Sequence, residues 1–264
     1  MAEKNGNGGR TQQGIQSVET GFRVLEVLIA TETTLSLKSL AERTGIPPSN
    51  VHRYLVSFIR TGLVEQCSDS GRYCLGRMAL QMGMAALNRL DPIEIASKAL
   101  RDLVDEVDQT ALLAVWSERG PVVVRWIRSS RPVILNVYVG AILPVLTSSA
   151  ARVFMAFMSP SIRDATLHDA LARLEPRTSA RFDMGRLRAQ IDDARRNQLA
   201  RVEGGVVPGL RAVSAPVIDA QGDPVASMTL LGTLESDVER FENAVLGLRR
   251  AAAKVSERLG YRPY

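Results

Sequence analysis

The 264-residue chain predicts an α+β protein: an N-terminal winged helix-turn-helix, a linker helix, and an antiparallel sheet with its helices segregated around it. Three observations carry this. Residues 35–60 read as two short amphipathic helices joined by a glycine. Runs of β-branched and aromatic residues recur between residues 111 and 140 and again between 212 and 232. Hairpin-type turns join those runs, which argues against a doubly wound parallel sheet.

The helix-turn-helix is built as follows. Ser36 is placed to cap the first helix, Leu37, Leu40 and Ala41 give it one apolar face, and Gly45 supplies the sharp exit. The second helix starts at Pro47-Pro48-Ser49. Its Val51, Leu55, Phe58 and Ile59 share one side, leaving Ser49, Asn50, His52, Arg53, Ser57 and Arg60 to face elsewhere. Short polar and cationic side chains of this kind suit base edges and phosphates in a major groove. The same pattern also fits a plain helical hairpin with a solvated face.

The flanks favour the first reading. Ser17 is placed to cap a preceding helix in which Val18, Phe22, Leu25, Leu28 and Ile29 recur at helical spacing and cover the hairpin. Residues 63–65 and 72–75 are strand-like runs around Ser68-Asp69-Ser70-Gly71, a turn composition, so three helices are followed by a wing. Arg72 on that wing reaches a phosphate or the minor groove, or is a solvated strand residue.

The net charge of +5 does not by itself mark the DNA-binding part. Residues 1–76 hold eight Lys/Arg against seven Asp/Glu, net +1, and the rest hold 25 against 21, net +4. Local placement is more telling: between residues 38 and 60, Lys38, Arg43, Arg53 and Arg60 face Glu42 alone, a modest footprint for phosphates. No apolar run is long enough to span a membrane, so a cytoplasmic location is expected, with residues 1–14 a polar, disordered arm.

Cys67 and Cys74 flank the wing turn and are expected to be small apolar strand residues, with a redox switch as the sharper alternative. The two histidines, His52 and His168, have no metal-ligand spacing around them. Neither a G-x-S-x-G elbow nor a glycine-rich phosphate loop is present, so the sequence points away from an enzyme and calls for no cofactor.

Residues 77–90, RMALQMGMAALNRL, form a methionine-rich connecting helix whose apolar residues spread over more than one face. Packing against a second copy accounts for that; docking on the wing or on the second domain is the alternative. Asp91 and Pro92 then start a helix with Ile95, Ala99, Leu103 and Val104 on one side. Strands are expected in ALLAVWSE, PVVVRWIRS and PVILNVYVG, helices near 148–158, 162–174 and 184–199, strands at 212–219 and 224–232, and a closing helix over 236–259. The resulting domains are an arm (1–14), a winged helix (15–76), a linker (77–90) and a second domain (91–264).

In order and spacing, Ser36-Leu37-x-x-Leu40-Ala41, Gly45-Ile46-Pro47, Ser49-Asn50-Val51-His52-Arg53, Tyr73-x-Leu75-Gly76 and Ala215-Pro216-Val217 resemble the IclR family of bacterial transcription regulators. The resemblance implies a GAF-like second domain that binds a small effector, an organic or aromatic acid. It also implies a homodimer or dimer of dimers on a partly palindromic double-stranded DNA operator, acting as repressor or activator.

It further implies a pocket where a loop enters a helix, over residues 140–152, with Leu146, Ala151 and Arg152 standing where the family has His, Gly and Lys. Ala212 replaces the family's Cys, and Thr229 matches a small polar contact on the last strand. The effector-binding set carried over is Leu146, Ser148, Ser149, Ala150, Ala151, Ala212 and Thr229. The DNA-binding set, read from the helical spacing, the local charge and the wing, is Lys38, Ser49, Asn50, His52, Arg53, Ser57, Arg60 and Arg72. The chain is thus expected to be a sequence-specific, effector-controlled transcriptional regulator. A ligand-independent regulator, or a metabolite-binding protein or enzyme with an accessory winged helix, are the rival readings.

Overall fold

The computed structural model describes residues 14–130, 137–179, 182–234 and 237–262. The chain separates into two compact units, one ending at Arg89 and one beginning at Leu90. The expected arm therefore lies, but for Gly14, outside the described residues.

The first unit runs α1 (Gln16–Ile29), α2 (Leu37–Thr44), α3 (Pro48–Arg60), β1 (Val64–Gln66), β2 (Tyr73–Leu75) and α4 (Arg77–Leu87). Ser36 caps α2 by accepting from the Ser39 amide, and Gly45 ends it at φ +67°, in the left-handed region that favours glycine. Val24, Leu28, Leu40, Val51, Leu55 and Val64 form one buried cluster. Each fully buried aliphatic side chain contributes about 1.5–3 kcal/mol. The wing pairs antiparallel, Val64 with Leu75 and Gln66 with Tyr73. Leu35 and Tyr73 exchange backbone hydrogen bonds of 3.0 and 2.8 Å, which ties the wing to the entry of α2.

Three local expectations are corrected. Ile15, not Ser17, occupies the N-cap of α1, and no side chain caps that end. The buried face of α1 is Gly21, Val24, Leu25 and Leu28, whereas Val18, Phe22 and Ile29 are about half exposed. On α3, Ile59 is exposed, because Val51 and Leu55 set the helix's rotation against the core and carry Ile59 past its edge.

The second unit is a five-stranded antiparallel sheet in the order β4-β3-β7-β6-β5. Its elements are α5 (Pro92–Val107), β3 (Ala111–Ser117), β4 (Gly120–Ile127), α6 (Ser149–Phe157), α7 (Pro160–Ala172), the single-turn α8 (Pro176–Ser179), α9 (Met184–Asn197), β5 (Ala200–Glu203), β6 (Leu210–Ile218), β7 (Pro224–Thr233) and α10 (Val238–Arg258). Asp91 caps α5 through the amides of Ile93 and Glu94, with Pro92 at the first helical position. The stripe that α5 buries is Ala96, Leu100, Leu103 and Val104; Ile95 and Ala99 sit at its margin, one residue round from the expected face.

Alternation along the strands sends successive residues to opposite faces. Leu113, Met228 and Leu230 face α5 and α10, where Leu100, Phe241 and Leu248 complete the largest core. Leu112, Ala114 and Leu231 face the other way, together with Ala150 of α6. A third cluster holds α6, α7 and α9 together through Val153, Met155, Leu167, Leu187 and Ile191.

The strand expected in PVILNVYVG lies partly outside the described residues, and residues 137–140 are not a strand; the chain makes an isolated bridge to β4 at Ile142, opposite Val122, and the Gly140 amide donates to the Val123 carbonyl at 2.7 Å. β5 was not expected. Ser236, the anticipated start of the closing helix, also lies outside the described residues, and Asp237 caps α10 by accepting from the Arg240 amide. Among the described residues no helix is long and apolar enough to cross a membrane.

Candidate functional site

Two surfaces hold side chains that packing alone does not explain. The first is the outer face of α3. With Val51 and Leu55 fully buried beneath it, Ser49, Asn50, His52, Arg53, Ser57 and Arg60 are all exposed. Among the described residues, Arg53 and Arg60 have no carboxylate partner, so their charge is available to an anion. Ser57 is turned back on its own helix, its hydroxyl donating to the Arg53 carbonyl at 3.2 Å.

The other cations of this unit differ. Lys38 lies 3.9 Å from Glu42 in an exposed pair that solvent screens. Arg43 donates to Thr31 Oγ1 at 3.0 Å, and Thr31 in turn donates to the Val27 carbonyl at 2.7 Å, so Arg43 braces the end of α1. Arg72 is exposed, with Nη1 3.5 Å from the Thr34 carbonyl beside the Leu35–Tyr73 bridge.

Cys67 and Cys74 are free thiols, each half buried. Burial, then the neighbouring Cys67 and the Glu65 carboxylate, raises the Cys74 thiol above its ordinary value, which keeps it protonated and slow to react.

The second surface is a cavity of about 50 Å³ between the sheet and the start of α6. Leu112, Ala212, Thr229 and Leu231 floor it, and Ser148, Ser149 and Ala150 form one wall. Val202, the segment Gly205-Val206-Val207, and Leu210 also line it. A Cβ on Gly205 would collide with the Thr147 carbonyl oxygen and the Val202 side chain, so this segment closes down on the loop that enters α6.

Among the described residues, no charged side chain lines the cavity. Its polarity comes from a chain of buried hydroxyls: Ser149 Oγ lies 2.7 Å from Ser214 Oγ, which lies 2.7 Å from Thr229 Oγ1. Ser148 caps α6 by accepting from the Ala151 amide at 3.2 Å. The amides of Ser149 and Ala150 belong to the first turn, whose N–H groups point out of the helix and carry positive potential.

Of the residues carried over for the effector, Ser148, Ser149, Ala150, Ala212 and Thr229 meet at this cavity. Leu146 and Ala151 do not: both point into the cluster with Leu167, Leu187 and Ile191. Arg152 is also turned away, donating through Nη1 to the Arg201 carbonyl on β5 at 2.9 Å. Its burial, and then the nearby Arg186, lower its pKa. Sequence reasoning missed Ser214, although it stands two residues beyond Ala212 and strand alternation puts both on one face. It also missed the 205–210 wall, for which glycine content was the only signal.

A winged helix with an exposed polar reading face, followed by a separate domain enclosing a partly polar cavity, defines a DNA-binding transcriptional regulator. The chain belongs to the IclR family: the family model described as "Bacterial transcriptional regulator IclR C-terminal" matches residues 84–257, and the "IclR helix-turn-helix domain" matches residues 17–68.

Among solved structures the chain is similar to Pseudomonas aeruginosa HmgR, at 34% identity and a TM-score of 0.79 over 95% of this chain and 100% of that one. Among curated proteins it is 24% identical over 223 residues to the Transcriptional repressor IclR of Escherichia coli (strain K12), covering 83% of this chain and 81% of that protein. An IclR homolog from Microbacterium hydrocarbonoxydans, crystallised with 4-hydroxybenzoate, shares the fold at a TM-score of 0.55 and 22% identity, over 92% of this chain and 99% of that one. The relatives are transcriptional regulators, not enzymes.

Proposed function

We propose that this regulator is controlled by a small monocarboxylic acid with an apolar body, held in the cavity at the start of α6. The observation that carries this is the buried Ser149–Ser214–Thr229 hydroxyl chain in a cavity otherwise lined by aliphatic side chains. Helix-terminal amides and hydroxyls can solvate one carboxylate, whereas the described lining offers no cationic side chain to a second anionic group. That a related fold has been crystallised with 4-hydroxybenzoate supports an aromatic acid.

The cavity is much smaller than the roughly 300–1,000 Å³ of pockets that hold drug-sized ligands. On this reading ligand entry displaces Val206 and Val207, which lie in a segment bounded by Gly204 and Gly209 at φ +64° and +80°. The small volume is also what favours a second reading, a regulator that works without ligand. Isothermal titration of the whole protein with aromatic and short aliphatic monoacids, and with matched diacids, separates the two. Heat from a monoacid alone supports the first; silence from every acid supports the second.

On DNA, Ser49, Asn50, His52, Arg53 and Arg60 contact bases and phosphates, while Lys38, Ser57 and Arg72 lie at the periphery. The exposed apolar residues Val18 and Phe22 of α1, and Leu80, Met82 and Met84 of α4, serve pairing with a second copy. Two-fold pairing would set two α3 helices about one DNA turn apart, roughly 34 Å, or a multiple of it. The bound acid acts by favouring one spacing of the two winged helices over another.

A further inference from the structure

We infer that Cys67 and Cys74 close a reversible disulfide across the wing when the protein meets a hydroperoxide, and that closing it weakens operator binding. The chemistry stands apart from the effector cavity; only its output rests on the DNA-binding reading.

The chain has two cysteines, and both lie in the wing. Glu65 pairs with Cys74 and Gln66 with Tyr73, and the Cys67 amide continues that ladder by donating to the Arg72 carbonyl at 2.8 Å. Strand alternation then puts Cys67, Cys74, Glu65 and Arg72 on one face, opposite to the buried Val64 and Tyr73. Cys67 and Cys74 are diagonal neighbours there, both free and half buried, and their thiols are close enough to share a hydrogen bond. That is the arrangement of a sensing cysteine beside a resolving one.

Diagonal neighbours stand about 7–8 Å apart at Cα, a little beyond the roughly 4.4–6.8 Å that a disulfide spans. Bonding therefore draws the strand ends together by roughly 1 Å. The exposed turn from Ser68 to Gly71 can follow, whereas Val64 and Tyr73 are fixed in the core. A bridge closed against the strand geometry opens readily to free thiols, so the pair suits a switch better than a permanent staple.

A hydroperoxide is the only co-reactant needed. Burial, and then the neighbouring Cys67, hold the proton on Cys74, so Cys67 is the nucleophile. Its sulfur attacks one peroxide oxygen, the O–O bond breaks, and the Cys67 proton leaves with the other oxygen as water or an alcohol, giving a sulfenic acid. The Cys74 sulfur then attacks the Cys67 sulfur. The S–S bond forms, the S–O bond breaks, and hydroxide departs with the Cys74 proton as water. Two thiols lose two electrons, and one hydroperoxide gains them.

The change reaches the DNA-binding surface by two short paths. Arg72 stands opposite Cys67, at the strand end that moves. Cys74 Sγ lies 3.8 Å from the Glu65 carbonyl oxygen, and the Glu65 carboxylate accepts from the Arg77 amide at 3.1 Å, capping α4 where Gly76 offers no side chain. Oxidation thus displaces a wing cation and loosens the start of the linker helix together.

The test treats the reduced full chain with hydrogen peroxide and follows intact mass, mobility on a non-reducing gel and anisotropy of an operator duplex. The expected product is a single chain lighter by two hydrogens, with no thiol left to alkylate. Its operator affinity should be about tenfold weaker and return with dithiothreitol. Cys67→Ser and Cys74→Ser should bind as reduced wild type does and keep that affinity after peroxide. Thiols that stay free, a bridge between two chains, or an affinity that the bridge leaves unchanged overturns the proposal. So does a peroxide effect that persists in both serine variants, which would place the sensitivity elsewhere in the chain. Reduced wild type that binds no operator would instead refute the DNA-binding reading, and the mass would still decide whether the bridge forms.

Discussion

Ser149 and Ser214 stand 65 residues apart in the chain, yet their hydroxyls lie 2.7 Å apart, joining the first turn of α6 to the middle of the sheet. Ser214 passes the contact on to Thr229, so one fully buried hydroxyl bridges a helix and two strands. A polar chain in this position does little that an aliphatic core would not do better, unless a ligand uses it.

Replacing Ser214 by Ala strands the hydroxyls of Ser149 and Thr229 at once. The expected result is a loss of about 1–3 kcal/mol in urea unfolding, from buried groups left without a partner. Acid binding should weaken at least about tenfold by titration calorimetry, since each tenfold is about 1.4 kcal/mol. Unchanged affinity for every acid that wild type binds would remove the hydroxyl chain from the ligand site.

Gly205→Ala tests the part of the lining that packs on the loop entering α6. The added methyl collides with the Thr147 carbonyl and Val202 and pushes the 204–209 segment off the cavity. Stopped-flow binding should show faster ligand dissociation, with overall stability lowered by about 1–3 kcal/mol. Dissociation as slow as wild type would mean that the segment does not cover the ligand.

Arg53 lies on α3 with its charge unpaired among the described residues. Arg53→Ala should weaken specific operator binding by roughly 1–3 kcal/mol if the guanidinium makes a bidentate base contact, and should relax preference at one base pair. Lys38→Ala should instead weaken all sequences alike and lower the salt slope by about one. Fluorescence anisotropy with operator and scrambled duplexes at several salt concentrations distinguishes them.

Glu242 grips Arg201 through two contacts of 2.6 and 2.7 Å, tying α10 to the edge strand β5. The Arg201 hydrogen bonds, outweighing burial, hold the Glu242 carboxyl below its ordinary value of 4.5, with the charges of Arg201 and Arg211 adding to the effect. A lowered folded pKa means that this stability is present above about pH 4.5 and is lost as pH falls through the folded value. Both side chains are about half exposed, so the contribution is at most about 1 kcal/mol. Thermal melts of wild type and Glu242→Gln should therefore differ near neutrality and converge in acid; a constant gap at all pH values would contradict this.

Much of the fold is legible because local chemistry decides it. Ser36 and Asp91 cap helices by side chains that reach only three residues, Gly45 meets a backbone demand of its own, and the wing turn lies between its two strands. β5 escaped for the opposite reason. Ala200-Arg201-Val202-Glu203 alternates correctly but is four residues long, and its strand character comes from pairing with β6. On α1 two apolar stripes satisfy helical spacing equally, Val18-Phe22-Ile29 and Val24-Leu25-Leu28; only α2 and α3 packing on the second chose which was buried.

By itself, then, the sequence determined the winged helix, the antiparallel character of the second domain, the polar set on α3 and the serines that start α6. Those features depend on period, caps and turns, which act within a few residues. Tertiary structure alone decided that Leu146 and Ala151 belong to a core and not to the cavity, that Ser214 completes the hydroxyl chain, and that Gly205 closes the wall. Each of those depends on which face of one element meets another far along the chain, and that choice is made by packing the whole sheet and its helices at once.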